Sequence, residues 1–126
     1  MSVELGKAIS KFSIAATGEQ DISPQQYRGK WLIIYFYPKD NTPGCTTEGK
    51  DFRDHYAEFE KLNAVVLGVS RDSVKVHTNF KAKHEFPFEL LADQEEQLCQ
   101  LFDVIKEKNM YGRKVMGIER STFLID

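Results

Sequence analysis

Several features that would place these 126 residues in a specialised class are scarce or missing. With only two cysteines, Cys45 and Cys99, the chain cannot be built on a disulfide framework, and this scarcity favours the cytoplasm, where thiols stay reduced. The cysteines and the three histidines show no paired C-x-x-C or H-x-x-x-H spacing, so no zinc site is expected. A formal net charge of −2 leaves no basic surface for nucleic acid or for an anionic membrane.

Long apolar runs are also missing. No stretch approaches the roughly 18 consecutive apolar residues of a membrane span. The first ten residues, MSVELGKAIS, lack the basic start and apolar core of a secretory signal. We therefore expect a single globular domain over residues 1–126, with no membrane or nucleic-acid partner.

What the chain does contain is centred on residues 31–50, WLIIYFYPKDNTPGCTTEGK. The seven apolar or aromatic residues at 31–37 predict a strand that is buried on both faces of a sheet. Thr42 and Pro43 then form the N-cap and first residue of a predicted helix, which puts Cys45 in its first turn. Open α/β sheets place their chemistry at this carboxyl end of a central strand.

The rest of the pattern alternates strands with helices, which is typical of an α/β domain. After Cys45 a helix is predicted to about Leu62, because aromatic residues recur on one face. Ser73 is expected to cap a second helix, with Val76 and Phe80 facing the core. The other predicted elements are a short strand at 12–15, one helical turn at 24–27, buried strands at 64–69 and 86–91, a short helix at 93–102 capped by Asp93, a loop or hairpin at 106–114, and extended segments at 115–125.

Two interpretations of Cys45 follow from its sequence context. A free thiol has a pKa near ~8.5, whereas the unpaired N–H groups and the dipole of a helix's first turn stabilise a thiolate. Because a more stable thiolate is a weaker nucleophile, a fast thiol reaction also needs donors aimed at the leaving group. The candidate donors are the Thr42 hydroxyl, the N–H groups of Gly44 and Cys45, and a cation from elsewhere in the chain. On the alternative interpretation Cys45 is a small core residue and Arg120 is a strand charge that faces solvent.

The combination of motifs is more specific than any one of them. Pro38, Thr42 and Cys45 match the P-x-x-x-T-x-x-C signature of peroxiredoxins, and YFYPKDNTPGCTTE at 35–48 resembles their bacterioferritin-comigratory, or peroxiredoxin Q, branch. Further similarity lies in GVSRDS at 68–73, FPFELLAD at 86–93 and GIERSTFLID at 117–126. The resemblance implies a thioredoxin-like α/β fold, with a central mixed sheet flanked by helices.

The same resemblance implies a thiol-dependent peroxidase that uses no metal, haem or flavin. Cys45 would be the peroxidatic cysteine, whose thiolate attacks hydrogen peroxide or an organic hydroperoxide and becomes a sulfenic acid. Thr42 would hydrogen-bond the peroxide, and Arg120 would hold the thiolate and polarise the O–O bond. Pro38 would shield the sulfur from water, and Glu48 would orient Arg120.

The chain departs from this branch at the step of reduction. Lys50 stands five residues after Cys45, where many members carry a resolving cysteine, and residues 73–84, where others carry one, contain none. Cys99 is expected to be a core thiol, with a resolving role as the disfavoured alternative. We therefore expect a one-cysteine cycle with thioredoxin, glutaredoxin or a small thiol as reductant, on a monomer or weak dimer.

Two further expectations concern the whole molecule. The family continues past the FLID segment with another strand and a C-terminal helix, so the domain is expected to be C-terminally incomplete or covered there by a neighbouring chain. The alternative to a peroxidase is a thioredoxin-fold redox sensor or binding module, in which Cys45 is oxidised with negligible turnover. The rate of oxidation by peroxide and the turnover with thioredoxin separate these two functions.

Overall fold

The computed structural model describes residues 12–27, 29–110 and 112–125, so the polar segment predicted at 1–11 lies outside the described residues. The helices are α1 Pro43–Asp54, α2 Tyr56–Lys61, α3 Val74–His84 and α4 Gln97–Leu101, with a 3₁₀ turn at Pro24–Tyr27. The strands are β1 Ile14–Ala16, β2 Gln20–Ile22, β3 Trp31–Phe36, β4 Ala64–Ser70, β5 Glu89–Ala92, β6 Ile105–Met110, β7 Arg113–Ile118 and β8 Ser121–Ile125.

A six-stranded mixed sheet forms the centre of the domain, in the order β2-β1-β5-β4-β3-β8. β3 pairs in parallel with β4 and antiparallel with β8. It therefore lies inside the sheet, as its apolar run predicted. β6 and β7 form a separate antiparallel hairpin, which confirms the hairpin alternative for residues 106–114. Among the described residues, no helix has the length and apolar character needed to cross a membrane.

The side chains of β3 alternate between two hydrophobic cores, because successive residues of a strand point to opposite faces. Leu32, Ile34 and Phe36 contribute to the first core, which also contains side chains of α4. Tyr35, and Tyr37 just beyond the strand, contribute to the second core, which is covered by α1, α2 and α3. The central strand is thus buried on both faces.

The two cysteines lie in different cores. Cys45, on α1, belongs to the second core, and Cys99, on α4, belongs to the first. Both thiols are free and buried. The sheet therefore separates the two sulfur atoms.

Two predictions about the helices need correction. The helix after Cys45 reaches the predicted length, but it is interrupted at His55, which caps the end of α1 and the start of α2. In α3, Val76 is 36% exposed, and the inward-facing residues are His77 and Phe80. Apolarity alone selected Val76, whereas the buried face includes a polar histidine three residues before Phe80.

The segment around β5 and α4 also differs in detail. The strand begins at Glu89 rather than at residue 86. Glu96, not Asp93, occupies the N-cap position of α4. Asp93 nevertheless accepts hydrogen bonds from the backbone N–H groups of Leu98 and Cys99. Its carboxylate therefore satisfies two of the N–H groups that have no intrahelical acceptor at the start of α4.

Candidate active site

The turn between β3 and α1 places Cys45. Thr42 is the N-cap, with extended backbone, and Pro43 begins the helix, so Cys45 lies in the first turn as predicted. The cysteine is only 2% exposed. The first N–H groups of a helix have no intrahelical acceptor, and the helix dipole adds positive potential there. This end of α1 therefore stabilises negative charge on the sulfur.

Arg120 reaches the same place from the far end of the chain, just before β8. Antiparallel pairing puts Ser121, the first residue of β8, opposite Phe36, the last residue of β3. Arg120 consequently arrives where α1 begins. Its Nη2 donates to the Sγ of Cys45 at 3.3 Å, and its Nη1 donates to Oε1 of Glu48 at 2.6 Å.

Arg120 lies between two acidic groups, the thiol of Cys45 and the carboxyl of Glu48. Burial opposes the charge on Arg120, but hydrogen bonds to Cys45 and Glu48 outweigh that effect and raise the pKa of Arg120. Burial raises the pKa of Glu48 above its usual value, while the hydrogen bond and charge of Arg120 act in the opposite direction. Arg120 is thus a permanent cation that is held against the sulfur by a partly buried carboxylate.

Gly44 makes the close approach of the guanidinium feasible. A Cβ atom at this position would lie 3.3 Å from Nη2 of Arg120. Gly44 and Arg120 also line a cavity of about 500 Å³, together with Phe52 and Phe59. The guanidinium therefore borders a cavity with aromatic side chains in its wall.

Thr42 and Pro38 flank the turn. The Thr42 hydroxyl donates to the carbonyl of Lys39 at 2.8 Å and makes no capping bond to the helix. The oxygen lone pairs of Thr42 are consequently left to accept a hydrogen bond from a ligand. Pro38 is partly buried directly after the core residue Tyr37.

Sequence reasoning missed a buried polar group in the same turn. Asp40 is 2% exposed and His77 is 0% exposed, and His77 Nδ1 lies 2.6 Å from Oδ2 of Asp40. One signal was available, since His77, Phe80 and His84 recur at i, i+3 and i+7 on one face of α3. For Asp40, no sequence pattern distinguished a buried carboxylate from an ordinary turn residue.

Tyr35 was likewise predicted only as part of an apolar run. Its hydroxyl is buried and has no hydrogen-bond partner among the described residues. Burial raises the pKa of Tyr35, and the nearby carboxylates of Glu48 and Asp40 act in the same direction. Tyr35 therefore remains protonated under the active-site turn.

Lys50 and Cys99, the two positions considered for the reduction step, lie on different helices, α1 and α4. Lys50 is exposed on α1. Cys99 is 0% exposed, and its pKa is raised by burial and by its hydrogen bond to Asp93. A buried, protonated thiol is a poor nucleophile, which agrees with a core role for Cys99.

Known proteins resemble this chain over nearly its whole length. The model of the AhpC/TSA family matches residues 5–126. Peroxiredoxin Bcp of Xanthomonas campestris is 56% identical over 123 residues, which make up 98% of this chain and 77% of that protein. A solved structure of a mutant of X. campestris peroxiredoxin Q superposes with a TM-score of 0.86 at 58% identity, covering 90% of this chain and 73% of that chain.

A second solved structure concerns activity. It is a complex of the X. campestris bacterioferritin comigratory protein, described in connection with that protein's alkyl peroxide reduction, with a TM-score of 0.86 and 57% identity over 90% of this chain and 73% of that chain. The chain belongs to the AhpC/TSA family, in its bacterioferritin-comigratory or peroxiredoxin Q branch, and is a thiol-dependent peroxidase with a thioredoxin-like fold.

Proposed function

We propose that Cys45 is the peroxidatic nucleophile and that Arg120 is the cation that activates both it and the peroxide. The observation that carries this proposal is the 3.3 Å contact between Nη2 of Arg120 and the Sγ of Cys45 at the start of α1. Glu48 holds the other nitrogen of the guanidinium, and Gly44 leaves the room that it occupies. Donors fixed in this way stabilise developing charge without reorganisation during the reaction.

The reaction follows from these positions. The thiolate of Cys45 attacks the terminal oxygen of the hydroperoxide, an S–O bond forms, and the O–O bond breaks. The products are a sulfenic acid on Cys45 and an alkoxide or hydroxide, which takes up one proton to leave as an alcohol or water. Thr42 accepts the hydrogen bond of the peroxide O–H, because its own proton is directed to Lys39. Pro38, next to the turn, limits the access of water to the sulfur.

The sulfenic acid is reduced by an external thiol in this proposal. One thiol condenses with the sulfenic acid to give a mixed disulfide and water, and a second thiol releases Cys45 as a thiol. The position of Cys99 beyond the sheet supports this one-cysteine cycle, because a disulfide needs Cα atoms about 4.4–6.8 Å apart. Thioredoxin, glutaredoxin or a small thiol fits the role, and the cytoplasm, which keeps such thiols reduced, is the proposed compartment.

Hydrogen peroxide and organic hydroperoxides are the proposed substrates. Alkyl peroxide reduction is an activity of the 57% identical Xanthomonas protein, and the cavity lined by Phe52 and Phe59 offers apolar surface beside Arg120. Oxidation of Cys45 by cumene hydroperoxide at a rate equal to or above that of hydrogen peroxide is the expected result. A rate far below it would restrict the substrate to hydrogen peroxide.

The nucleophile and its partners are tested together by the rate of Cys45 oxidation. Wild type is expected to react much faster than a free thiol, and Arg120→Ala or Thr42→Val is expected to lose about 10²–10³-fold. Intact mass after one equivalent of peroxide is expected to show one added oxygen, in wild type and in Cys99→Ser alike. Oxidation at the rate of a free thiol, or a loss of two hydrogens that disappears in Cys99→Ser, would reject this scheme.

A further inference from the structure

A buried polar cluster adjoins the active-site turn. It consists of five side chains that come from the end of β3, the turn, β4, the loop after β4, and α3: Tyr37, Asp40, Ser70, Asp72 and His77. We call this set the Asp40 cluster. Four of its members are no more than 2% exposed, and Asp72 is partly buried. Sequestered carboxylate and imidazole groups are costly unless fully hydrogen-bonded.

Asp40 is held at three points. Its Oδ1 accepts a hydrogen bond from the Tyr37 hydroxyl at 2.6 Å, and its Oδ2 lies 2.6 Å from Nδ1 of His77. Its backbone N–H donates to Oδ2 of Asp72 at 2.9 Å. Both the side chain and the main chain of this turn residue are therefore fixed to neighbouring elements. The next residue, Asn41, adopts a left-handed backbone with φ of 62°, so the chain reverses sharply there before Thr42.

His77 connects Asp40 to the central sheet. Its Nε2 lies 2.9 Å from the carbonyl oxygen of Leu91 in β5, a group that can only accept, so Nε2 carries a proton and donates. Its Nδ1 faces Asp40. Ser70 contributes by donating to Asp72 at 2.6 Å. The turn is thus connected through one imidazole ring to α3 and to β5.

A metal site is the competing interpretation of the same side chains. Asp40, Asp72 and His77 offer donor atoms that all lie within 4.8 Å of one another. However, both ring nitrogens of His77 and both oxygens of Asp40 already have hydrogen-bond partners within the protein. The cluster is therefore satisfied as a hydrogen-bond network formed by described residues of the chain.

We infer that Asp40 and His77 are positioning residues for peroxide reduction, because they lock the turn 38–42 in the geometry that presents Thr42 to the peroxide. This goes beyond the proposed roles of Thr42 and Cys45 but rests on them. Neither residue of the pair has a hydrogen bond to Cys45 or Arg120, so their effect passes through the backbone between Asp40 and Thr42. A displacement of about 1 Å in a catalytic group can cost on the order of 10²-fold in rate.

The prediction separates this role from general support of the thiolate. Alkylation by iodoacetamide needs the thiolate but no peroxide-binding oxygen, whereas oxidation by peroxide needs both. Loosening the turn should therefore lower the peroxide rate and leave the alkylation rate nearly unchanged. A residue that only stabilises the fold would change neither rate in the folded protein.

The test compares four variants. Asp40→Ala removes two of the three anchors, and Asp72→Ala removes the third at a partly buried position that tolerates truncation better. Asp40→Asn is the conservative rescue, since its amide can accept from Tyr37 and donate to a neutral Nδ1 of His77. The matched control is Asp93→Ala, which deletes a carboxylate that is also 2% exposed but accepts from the backbone N–H of Cys99, a residue of the first core.

We expect the peroxide rate of folded Asp40→Ala and Asp72→Ala to fall at least about tenfold, with alkylation within about threefold of wild type. Asp40→Asn and Asp93→Ala should stay within about threefold in both reactions. The inference is overturned by wild-type peroxide rates in both alanine variants, by equal losses of the two rates, or by an equal loss in Asp93→Ala or Asp40→Asn. If Asp40→Ala does not fold, Asp72→Ala and Asp40→Asn decide. Failure of the proposed function itself is distinguishable, because wild type would then already react slowly.

Discussion

Arg120 presents two nitrogens of one planar group to two different partners, the sulfur of Cys45 and the carboxylate of Glu48. A lysine could not do this, because an ammonium lacks the rigid fork that fixes the direction of both bonds. The arrangement also depends on what is absent next to it. Gly44 has no side chain, so the guanidinium lies against the first turn of α1.

Gly44→Ala is expected to separate stability from activity. In a helix, alanine is more favourable than glycine by at most about 1 kcal/mol, so the free energy of unfolding should stay level or rise slightly. The new Cβ would lie 3.3 Å from Nη2 of Arg120, which must shift, and the rate of Cys45 oxidation should fall by about tenfold. Urea unfolding and peroxide kinetics on the same sample measure both. An unchanged rate would show that the guanidinium has more freedom than this contact implies.

The pH dependence of stability in Glu48→Gln, compared with wild type, tests the raised pKa of Glu48. Burial raises the pKa of Glu48 in the folded protein above its ordinary value of 4.5. Between the pKa values of Glu48 in the unfolded and folded states, the folded state therefore binds more protons. The contribution of Glu48 to stability consequently rises as pH falls. The free energy of unfolding of wild type should improve relative to Glu48→Gln as the pH falls toward about 4.5. A difference that moves the opposite way would mean that Arg120 outweighs the burial of Glu48.

The residues proposed for catalysis could be selected from the sequence because each belongs to a local motif. Thr42 and Cys45 sit at fixed spacing in one turn, and Arg120 lies in the GIERSTFLID segment, although only the register of β8 against β3 explains why it meets the sulfur. The Asp40–His77 pair was not predictable, since it depends on a contact between residues 37 positions apart. The spacing of His77 with Phe80 and His84 indicated a buried face of α3, but it did not identify the partner of His77.

At the scale of the elements, β3 and β4 follow the sequence closely because each is a continuous apolar run, and α1 begins where Thr42 and Pro43 predicted. α1 packs unusually close to the segment before β5, and Gly49 is the reason. A Cβ at this position would lie 2.5 Å from Cζ of Phe86. The Phe86 ring stacks on Phe88 and meets the edge of Phe80, each at 5.1 Å between centroids, so it has little room to retreat.

Gly49→Ala is therefore expected to destabilise the domain by about 1–3 kcal/mol, in spite of alanine's higher helix propensity. Phe86→Leu in the same chain should recover part of this loss by making space, and the double-mutant cycle measures the coupling. Independent, additive effects of the two substitutions would contradict direct contact. Because α1 carries Cys45, the peroxide rate of Gly49→Ala should fall together with its stability and recover with it.

The break at His55 is an element-scale feature that periodicity did not indicate. The aromatic face of residues 52, 56 and 59 continues across it, since Phe52, Tyr56 and Phe59 all pack against the second core. The hydrophobic pattern therefore predicted one helix where the backbone forms two. What the pattern encodes is the buried face, and this face is the same for both.

At the scale of the whole molecule, the central sheet divides the chemistry of the two thiols. Cys45 lies with Arg120 at the end of β3, while Cys99 is enclosed in the first core, where burial and the hydrogen bond to Asp93 raise its pKa. Because Cys99 is fully buried, its thiol does not contact solvent, and because its pKa is raised, the thiol stays protonated. This division supports the proposal that Cys45 is the reactive one of the two thiols.

Differential labelling tests this division. Iodoacetamide at about pH 8 is expected to modify Cys45 alone in the native protein, because reaction at Cys99 requires opening of the first core. In Cys45→Ser, labelling of Cys99 should be slow and should accelerate with urea in step with global unfolding, since a fully buried thiol becomes accessible only in open states. Intact mass against time measures both rates. Fast labelling of Cys99 in native Cys45→Ser would place this thiol within reach of solvent, and a resolving role for it would again have to be considered.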